Sequence, residues 1–199
     1  MSSLPEEWVE TNLESICLKI GSGATPRGGN ENYKKEGISL IRSQNILDFD
    51  FSYAGLAFID DAQASKLNNV KVEENDVLIN ITGDSVARVC KVPESVLPAR
   101  VNQHVAILRA DKGKLNFDYL KYYLLNPIFK RHLLILANSG GTRNALTKNM
   151  LESLEVNLPP LPEQKSIANI LSSLDEKIEL LREQNETLET LAQTIFKEW

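Results

Sequence analysis

The chain has 199 residues, of which 42% are apolar and 25% are charged, and its formal net charge is −5. This composition is typical of a soluble protein with one well-buried domain and an appendage. No apolar run approaches the roughly 20 residues that a membrane-spanning helix requires, the N-terminal MSSLPEEW carries acid where a secretion signal needs base, and the two cysteines form no metal-binding or disulfide pattern. We therefore expect a cytoplasmic protein without a membrane partner.

The apolar pattern predicts a mixed α/β domain over residues 1–158. Helices are predicted at LESICLKIG, DAQASKL, FDYLKYYLL and PIFKRHLLILA, and strands at GISLIRS, NDVLINITG and RVNQHVAILRA. In NDVLINITG the apolar Val77, Ile79 and Ile81 alternate with Leu78, Asn80 and Thr82, which predicts a half-exposed strand. The dipeptide Asn126-Pro127 separates the last two helices, because proline suits the first turn of a helix.

Residues 159–199 form a second segment, in which a heptad pattern predicts one long helix. Steps of four and three separate its apolar positions, which is how helices pair in coiled coils. We call these positions the seam: Ile167, Leu171, Leu174, Ile178, Leu181, Asn185, Leu188, Ala192, Ile195 and Trp199. Asn185 would fix the register or orientation of the pair, but the pattern leaves parallel and antiparallel pairing open.

A helix of this length would extend roughly 55 Å, more than a domain of this size can cover. We therefore expect a second copy of the chain to cover the seam in a homodimer. The alternative is a helix that folds back on its own domain.

Patterns of catalytic or cofactor-binding residues are missing from the sequence. His104 and His132 lack a second ligand at metal-binding spacing. The segment GSGATPRGG lacks the ending of a P-loop and the third glycine of a dinucleotide turn, and NLPPL lacks the order and the aromatic residue of an adenine-methyltransferase motif. We expect no metal, no cofactor and no active site.

Charge is unevenly distributed along the chain. Residues 1–158 carry 18 Lys+Arg against 19 Asp+Glu, whereas residues 159–199 carry 4 against 8. Between Tyr119 and Leu151 there is no acidic residue, although this stretch has five basic ones. Such a surface suits the phosphates of a nucleic acid, but a solvated basic face without a partner would explain the charge equally well.

The chain resembles the specificity subunits of type I restriction-modification systems over nearly its whole length. The patterns that carry the resemblance occur in the family's order: LPEEWVETNLESI, GSGATPRGGNENYKKEGISLIRSQNI, ENDVLINITGD, ARVNQHVAIL, YLKYYL, SGGTRNALTKNML and LPPLPEQKSIANILSSLDEKIE. The most specific pattern is Leu161-Pro-Glu-Gln with Ala168 and the segment from Asp175 to Ile178.

This resemblance implies a target recognition domain followed by a spacer helix, without an active site. Such a subunit directs methyltransferase subunits, and with them the restriction subunit, to a DNA sequence. A full subunit resembles this unit twice in tandem, with an antiparallel helix pair, so this chain resembles a half subunit that reads one half of a bipartite site. A truncated adaptor that docks on partner subunits without binding DNA is the alternative, and the missing motifs disfavour a self-standing nuclease or methyltransferase.

Proteins distinguish the bases of double-stranded DNA mainly by bidentate hydrogen bonds, from arginine to guanine and from asparagine or glutamine to adenine. Three segments combine such side chains, namely Arg42, Ser43, Gln44 and Asn45, then Arg100, Asn102, Gln103 and His104, then Thr142, Arg143 and Asn144. Candidate phosphate partners are Arg27, Arg88 and Lys148. Within the whole set of candidate contacts, Arg143 is predicted to read guanine, and Lys148 is predicted to act as a point charge on a phosphate.

Overall fold

Two four-stranded sheets form the centre of the domain in a computed structural model that describes residues 5, 7–26, 33–139 and 144–197. In chain order the strands are β1 (Val9–Asn12), β2 (Cys17–Ser22), β3 (Ile38–Ile41), β4 (Ala57–Ile59), β5 (Lys71–Val72), β6 (Val77–Asn80), β7 (Val89–Lys91), β8 (Ala99–Val101), β9 (Val105–Ala110) and β10 (Glu155–Leu158). The helices are α1 (Leu13–Ile16), α2 (Asp61–Ser65), α3 (Phe117–Leu125), α4 (Pro127–Ser139), α5 (Lys148–Glu152) and α6 (Leu161–Lys197).

The first of the two four-stranded sheets, which we call the central sheet, has the strand order β2-β9-β6-β7 and is antiparallel throughout. The second sheet has the order β4-β3-β8-β5, in which β3 and β8 are parallel. A separate two-stranded sheet pairs β1 with β10. Because β8 and β9 belong to different sheets, residues 102–104 between them form the crossing from one sheet to the other.

Both faces of strand β6 are buried, so the prediction that this strand is half-exposed is wrong. Val77 and Ile79 of β6 pack in a core shared with the helices, whereas Leu78 packs in a core shared with the second sheet. All four residues of β6 are buried. The alternation along the strand therefore separates two apolar cores, not a core from solvent.

Two predicted elements have different bounds in the structure. The helix expected over LESICLKIG ends at Ile16, and the chain continues as β2, which pairs with β9. The strand expected over RVNQHVAILRA is divided into β8 and β9 by the turn at residues 102–104. The other predicted helices and strands are confirmed.

The long helix α6 is docked on the domain by its first four turns. Gln164 is fully buried, and its Nε2 donates to the carbonyls of Lys114 and Pro159 at 3.0 and 2.9 Å. Three turns later, Asp175 accepts hydrogen bonds from Lys121 Nζ at 3.1 Å and Tyr122 Oη at 2.6 Å. Burial alone would lower the pKa of the Lys121 ammonium, but its bonds to Tyr122 and Asp175 outweigh burial and raise that pKa.

Beyond Asp175, every described residue of α6 is exposed. Ile167 and Leu171 at the start of the seam are half-buried against the domain, whereas Leu174, Ile178 and Leu181 are 56%, 48% and 44% exposed. The helix does not fold back, since it continues roughly 33 Å past Asp175. Its seam is therefore left without a partner within the described chain, and Trp199 lies outside the described residues.

Candidate nucleic-acid interface

An open cleft of about 420 Å³ lies where the carboxyl ends of β3 and β6 meet the start of β9. The residues that line it are glycine or have polar side chains, namely Ser43, Gln44, Thr82, Gly83, Asp84, Ser85, Arg88 and His104. We call this concave surface the polar cleft. The sequence predicted Ser43, Gln44, Arg88 and His104 as contact residues, and these four side chains, far apart in the chain, line one cleft.

The loop between β6 and β7 brings the three predicted segments together. The buried Asn80 at the end of β6 donates from Nδ2 to the Ser43 carbonyl at 2.9 Å and to Ser85 Oγ at 3.0 Å. Two residues on, Thr82 Oγ1 lies 2.6 Å from His104 Nδ1. The Gly83 amide donates to the Asn144 carbonyl at 3.2 Å. Asn144 is thus placed beside the polar cleft.

Sequence reasoning missed the cleft residues Thr82, Gly83, Asp84 and Ser85. The sequence feature that could have identified these four residues is a run of small and polar residues directly after a strand, which is typical of a tight turn. Such turns are common, so the pattern alone did not distinguish a binding surface from an ordinary connection. Three predicted contact residues, Arg27, Thr142 and Arg143, lie outside the described residues.

Two predicted contact residues are buried amides that hold loops. Asn45 donates from Nδ2 to the carbonyls of Ser52 and Ala54 at 2.8 and 3.3 Å, and its Oδ1 accepts from the Arg42 amide at 3.0 Å. Asn102 Oδ1 accepts from the His104 amide at 3.0 Å. Asn45 is fully buried and Asn102 is 6% exposed, so we assign both amides to holding their loops and do not include them among the proposed contacts.

Arg100 is also removed, because its guanidinium is buried within the domain. It is 6% exposed and donates to the carbonyls of Ala64 and Ala99 and to Asn68 Oδ1 at 3.3, 3.0 and 3.0 Å. Burial lowers the pKa of this guanidinium. The side chain fixes β8 to the segment around α2. This structural role accounts for the burial of the arginine, so no ligand is needed to explain it.

Arg42 and Lys148 have partners that are not among the residues lining the polar cleft. The half-buried Arg42 guanidinium donates to the Gly55 carbonyl and lies 5.2 Å from the centre of the Tyr33 ring. Lys148 Nζ forms an ion pair with Glu152 Oε1 at 3.1 Å and lines a different cleft. By contrast, Arg88 is exposed, and its guanidinium has no partner among the described residues.

The hydrogen bonds of His104 show why Thr82 is not an activated nucleophile. Gln103 Nε2 lies 3.1 Å from His104 Nε2, and an amide nitrogen can only donate. With Nε2 accepting from Gln103, the ring donates from Nδ1 to Thr82 Oγ1 and has no free nitrogen to take the proton of that hydroxyl. The arrangement presents hydrogen-bonding groups without the general base that nucleophilic catalysis needs.

Reactive thiols and metal clusters are also missing from this part of the chain. Burial raises the pKa of both Cys17 and Cys90 to about 12, which keeps the thiols protonated and unreactive. Within residues 5–26, 33–139 and 144–197, apart from the undescribed residue 6, no group of three His, Cys, Asp or Glu could hold a metal ion. None of the helices described there has the length and apolar character needed to cross a membrane.

Comparison with known proteins gives one consistent family. Residues 5–190 match the type I restriction modification DNA specificity domain. The chain is 27% identical over 194 residues to the putative type I restriction enzyme MjaX specificity subunit of Methanocaldococcus jannaschii, covering 94% of this chain and 44% of that protein. It is 25% identical over 165 residues to the HindI specificity subunit of Haemophilus influenzae, covering 81% and 35%. The chain thus spans less than half the length of these relatives.

Solved structures show the same fold. A chain from a structural study of the type I R-M system superposes with a TM-score of 0.67 at 26% identity, covering 94% of this chain and 43% of that one. The type I restriction-modification S subunit from M. genitalium gives a TM-score of 0.64 at 14% identity, covering 95% and 44%. The mixed α/β domain with a long C-terminal helix therefore has the fold of a little under half of each of these solved chains.

Proposed function

Since this chain belongs to the type I restriction-modification DNA specificity family, we propose that it recognises one half of a bipartite DNA sequence and catalyses no reaction itself. Its partners in this proposal are double-stranded DNA, a second copy of the chain, methyltransferase subunits and, through them, the restriction subunit. The observation that carries the proposal is the meeting of three polar segments around Thr82 and Gly83 in one open cleft.

The polar cleft supports recognition because it combines a rigid backbone with exposed polar side chains. Buried Asn45, Asn80 and Asn102 hold the loops, while Gln44, Arg88 and other cleft residues remain accessible. Preorganised donors and acceptors of this kind give base specificity at little entropic cost. We propose as DNA contacts Ser43, Gln44, Thr82, Ser85, Arg88, Gln103, His104 and Asn144, together with the undescribed Arg27, Thr142 and Arg143.

The exposed helix supports the second part of the proposal, a homodimer through the seam. Residues 176–197 are exposed along their whole described length, and the seam positions Leu188 and Ile195 are 62% and 52% exposed. Two copies of α6 would cover both seams and place two identical polar clefts on one DNA molecule. We propose the division of the chain into a recognition domain, residues 1–158, and a dimerisation segment, residues 159–199.

Mapping of methylated sites with the reconstituted complex tests the function. Because two identical domains in a closed dimer are related by a twofold axis, we expect an interrupted palindrome with identical halves. Two unequal halves would contradict the homodimeric arrangement. Sequence preference and DNA affinity equal to those of the methyltransferase subunits alone would reduce this chain to an adaptor that only docks on its partners.

Arg88→Ala should weaken binding of the complex to its cognate site and to random duplex alike. An exposed arginine that has no partner among the described residues is suited to a phosphate. Losing one phosphate contact per chain lowers the slope of log K against log salt by about one for each cleft engaged. Fluorescence anisotropy at several salt concentrations measures both quantities. Lys148→Ala is the comparison, since its ammonium is already paired with Glu152. An Arg88→Ala slope equal to that of wild type would move the phosphate contacts elsewhere.

A further inference from the structure

The turn that carries Gln103 is fixed by its neighbours on both sides. The Gly23 amide donates to the Asn102 carbonyl at 3.1 Å, and Asn102 Oδ1 accepts from the His104 amide at 3.0 Å. A Cβ atom on Gly23 would lie 1.7 Å from the Val101 carbonyl oxygen, so only glycine allows this approach. The exposed Gln103 side chain therefore projects from a backbone with little freedom to move.

A chain of four side chains fixes the orientation of the Gln103 carboxamide. Thr25 Oγ1 donates to Gln103 Oε1, and Gln103 Nε2 donates to His104 Nε2 at 3.1 Å. His104 Nδ1 then donates to Thr82 Oγ1 at 2.6 Å. Turning the amide over would place its oxygen against the lone pair of His104 Nε2 and its nitrogen against Thr25. Reversal would therefore require the hydroxyl of Thr25 and the ring of His104 to reorganise together.

The fixed carboxamide retains one donor and one acceptor. A glutamine amide has two N–H donors and two acceptor positions on its oxygen, and the network uses one of each. In the major groove adenine presents the N7 acceptor beside the N6 donor, whereas guanine presents two acceptors, cytosine a donor, and thymine an acceptor and a methyl group. Adenine is the base that matches a donor and an acceptor side by side.

From this match, and resting on the proposed function, we infer that Gln103 is the side chain that specifies an adenine in each half-site. Thr25, His104 and Thr82 are positioning residues, since they act through the orientation of the Gln103 amide. The loss of either neighbouring hydrogen bond leaves Gln103 in place but allows its amide to turn. Adenine is then no longer distinguished from bases with other donor and acceptor patterns.

Selection from a pool of randomised duplexes, with the reconstituted complex as the binding protein, tests this assignment. Wild type should enrich a motif with adenine at one position of each half. Gln103→Ala should reduce the preference at that position about 5- to 150-fold and leave the other positions unchanged. Gln103→Glu keeps the shape but replaces the donor by an acceptor, so the preference should move from adenine towards cytosine. Gln193→Ala, an exposed glutamine of α6, is the matched control.

The positioning role has its own comparison at Thr25. Thr25→Val keeps the shape but removes the hydroxyl and should lower the adenine preference at the Gln103 position, whereas Thr25→Ser should retain it. Unchanged preferences in Gln103→Ala, or an equal loss at every position of the motif, would overturn the assignment to Gln103. A wild-type complex that enriches no motif would instead overturn the proposed function, and the inference with it.

Discussion

Replacing Leu174, Ile178 and Leu181 together by lysine is expected to convert a homodimer into a monomer. These seam side chains are each about half exposed in the single chain, at 56%, 48% and 44%. A dimer would cover six such side chains, three from each copy, and this burial would stabilise it by roughly 5 to 9 kcal/mol. Lysine at these positions would remove that contribution. Since each 1.4 kcal/mol is about tenfold in affinity, the dissociation constant should rise by more than about a thousandfold. Light scattering at tens of micromolar protein measures the change.

A matched variant on the opposite face of α6 separates the seam from a general charge effect. Replacing Thr187, Thr190 and Thr194 by lysine adds the same charge, and their hydroxyls donate only to carbonyls one turn earlier in the same helix. This variant should remain dimeric. A monomeric wild type, or two equally monomeric variants, would refute pairing through the seam.

Arg109→Ala is expected to lower the free energy of unfolding by roughly 3 to 5 kcal/mol, because it strands a buried carboxylate. The Asp76 side chain is fully buried, and it accepts from Arg109 Nε at 2.8 Å and Nη2 at 2.9 Å. These hydrogen bonds raise the pKa of Arg109, despite its partial burial. The expected loss is a large part of the stability of a typical domain, and urea unfolding of the two proteins measures it.

Arg182→Ala provides the control for this experiment. Arg182 forms an ion pair with Glu179 at 3.3 Å, but the two side chains are 65% and 61% exposed. Exposed pairs contribute about 0 to 1 kcal/mol. Asp76 precedes β6 and the polar cleft follows it, so Arg109→Ala should change stability without altering the base preference of folded protein. Equal, small effects of the two substitutions would show that the Asp76 carboxylate is not stranded.

The sequence predicted the elements that have a clear local period. Steps of four and three from Ile167 onwards predicted α6, and the predicted break between α3 and α4 was found at Asn126, with Pro127 as the first residue of α4. The period of β6 was equally visible, but alternation cannot show what covers each face of a strand. Leu78 packs against a sheet whose strands lie far away in the chain, so both faces are buried where one was expected to be exposed.

For the candidate site, composition identified the segments but not the direction of each side chain. Gln44, Gln103 and Asn45 look alike in the sequence as polar residues outside the strands. Asn45, however, is buried, and its amide donates to the carbonyls of Ser52 and Ala54. Arg100 is buried through Asn68 and other residues more than thirty positions away. Such contacts depend on how distant segments meet, which no local pattern in a single sequence records.

The division between buried amides and exposed side chains has a consequence for how this domain could acquire new specificities. Asn45 and Asn102 hold the loops through backbone atoms, and the Gly23 amide holds the turn at residues 102–104 through the Asn102 carbonyl, so the backbone of that turn is fixed by groups other than the Gln103 side chain. If Gln103 reads a base as inferred above, substitutions at that position can therefore change the preferred base while the fold persists. A single scaffold of this kind can give rise to many recognition sequences by small steps, without passing through unfolded intermediates.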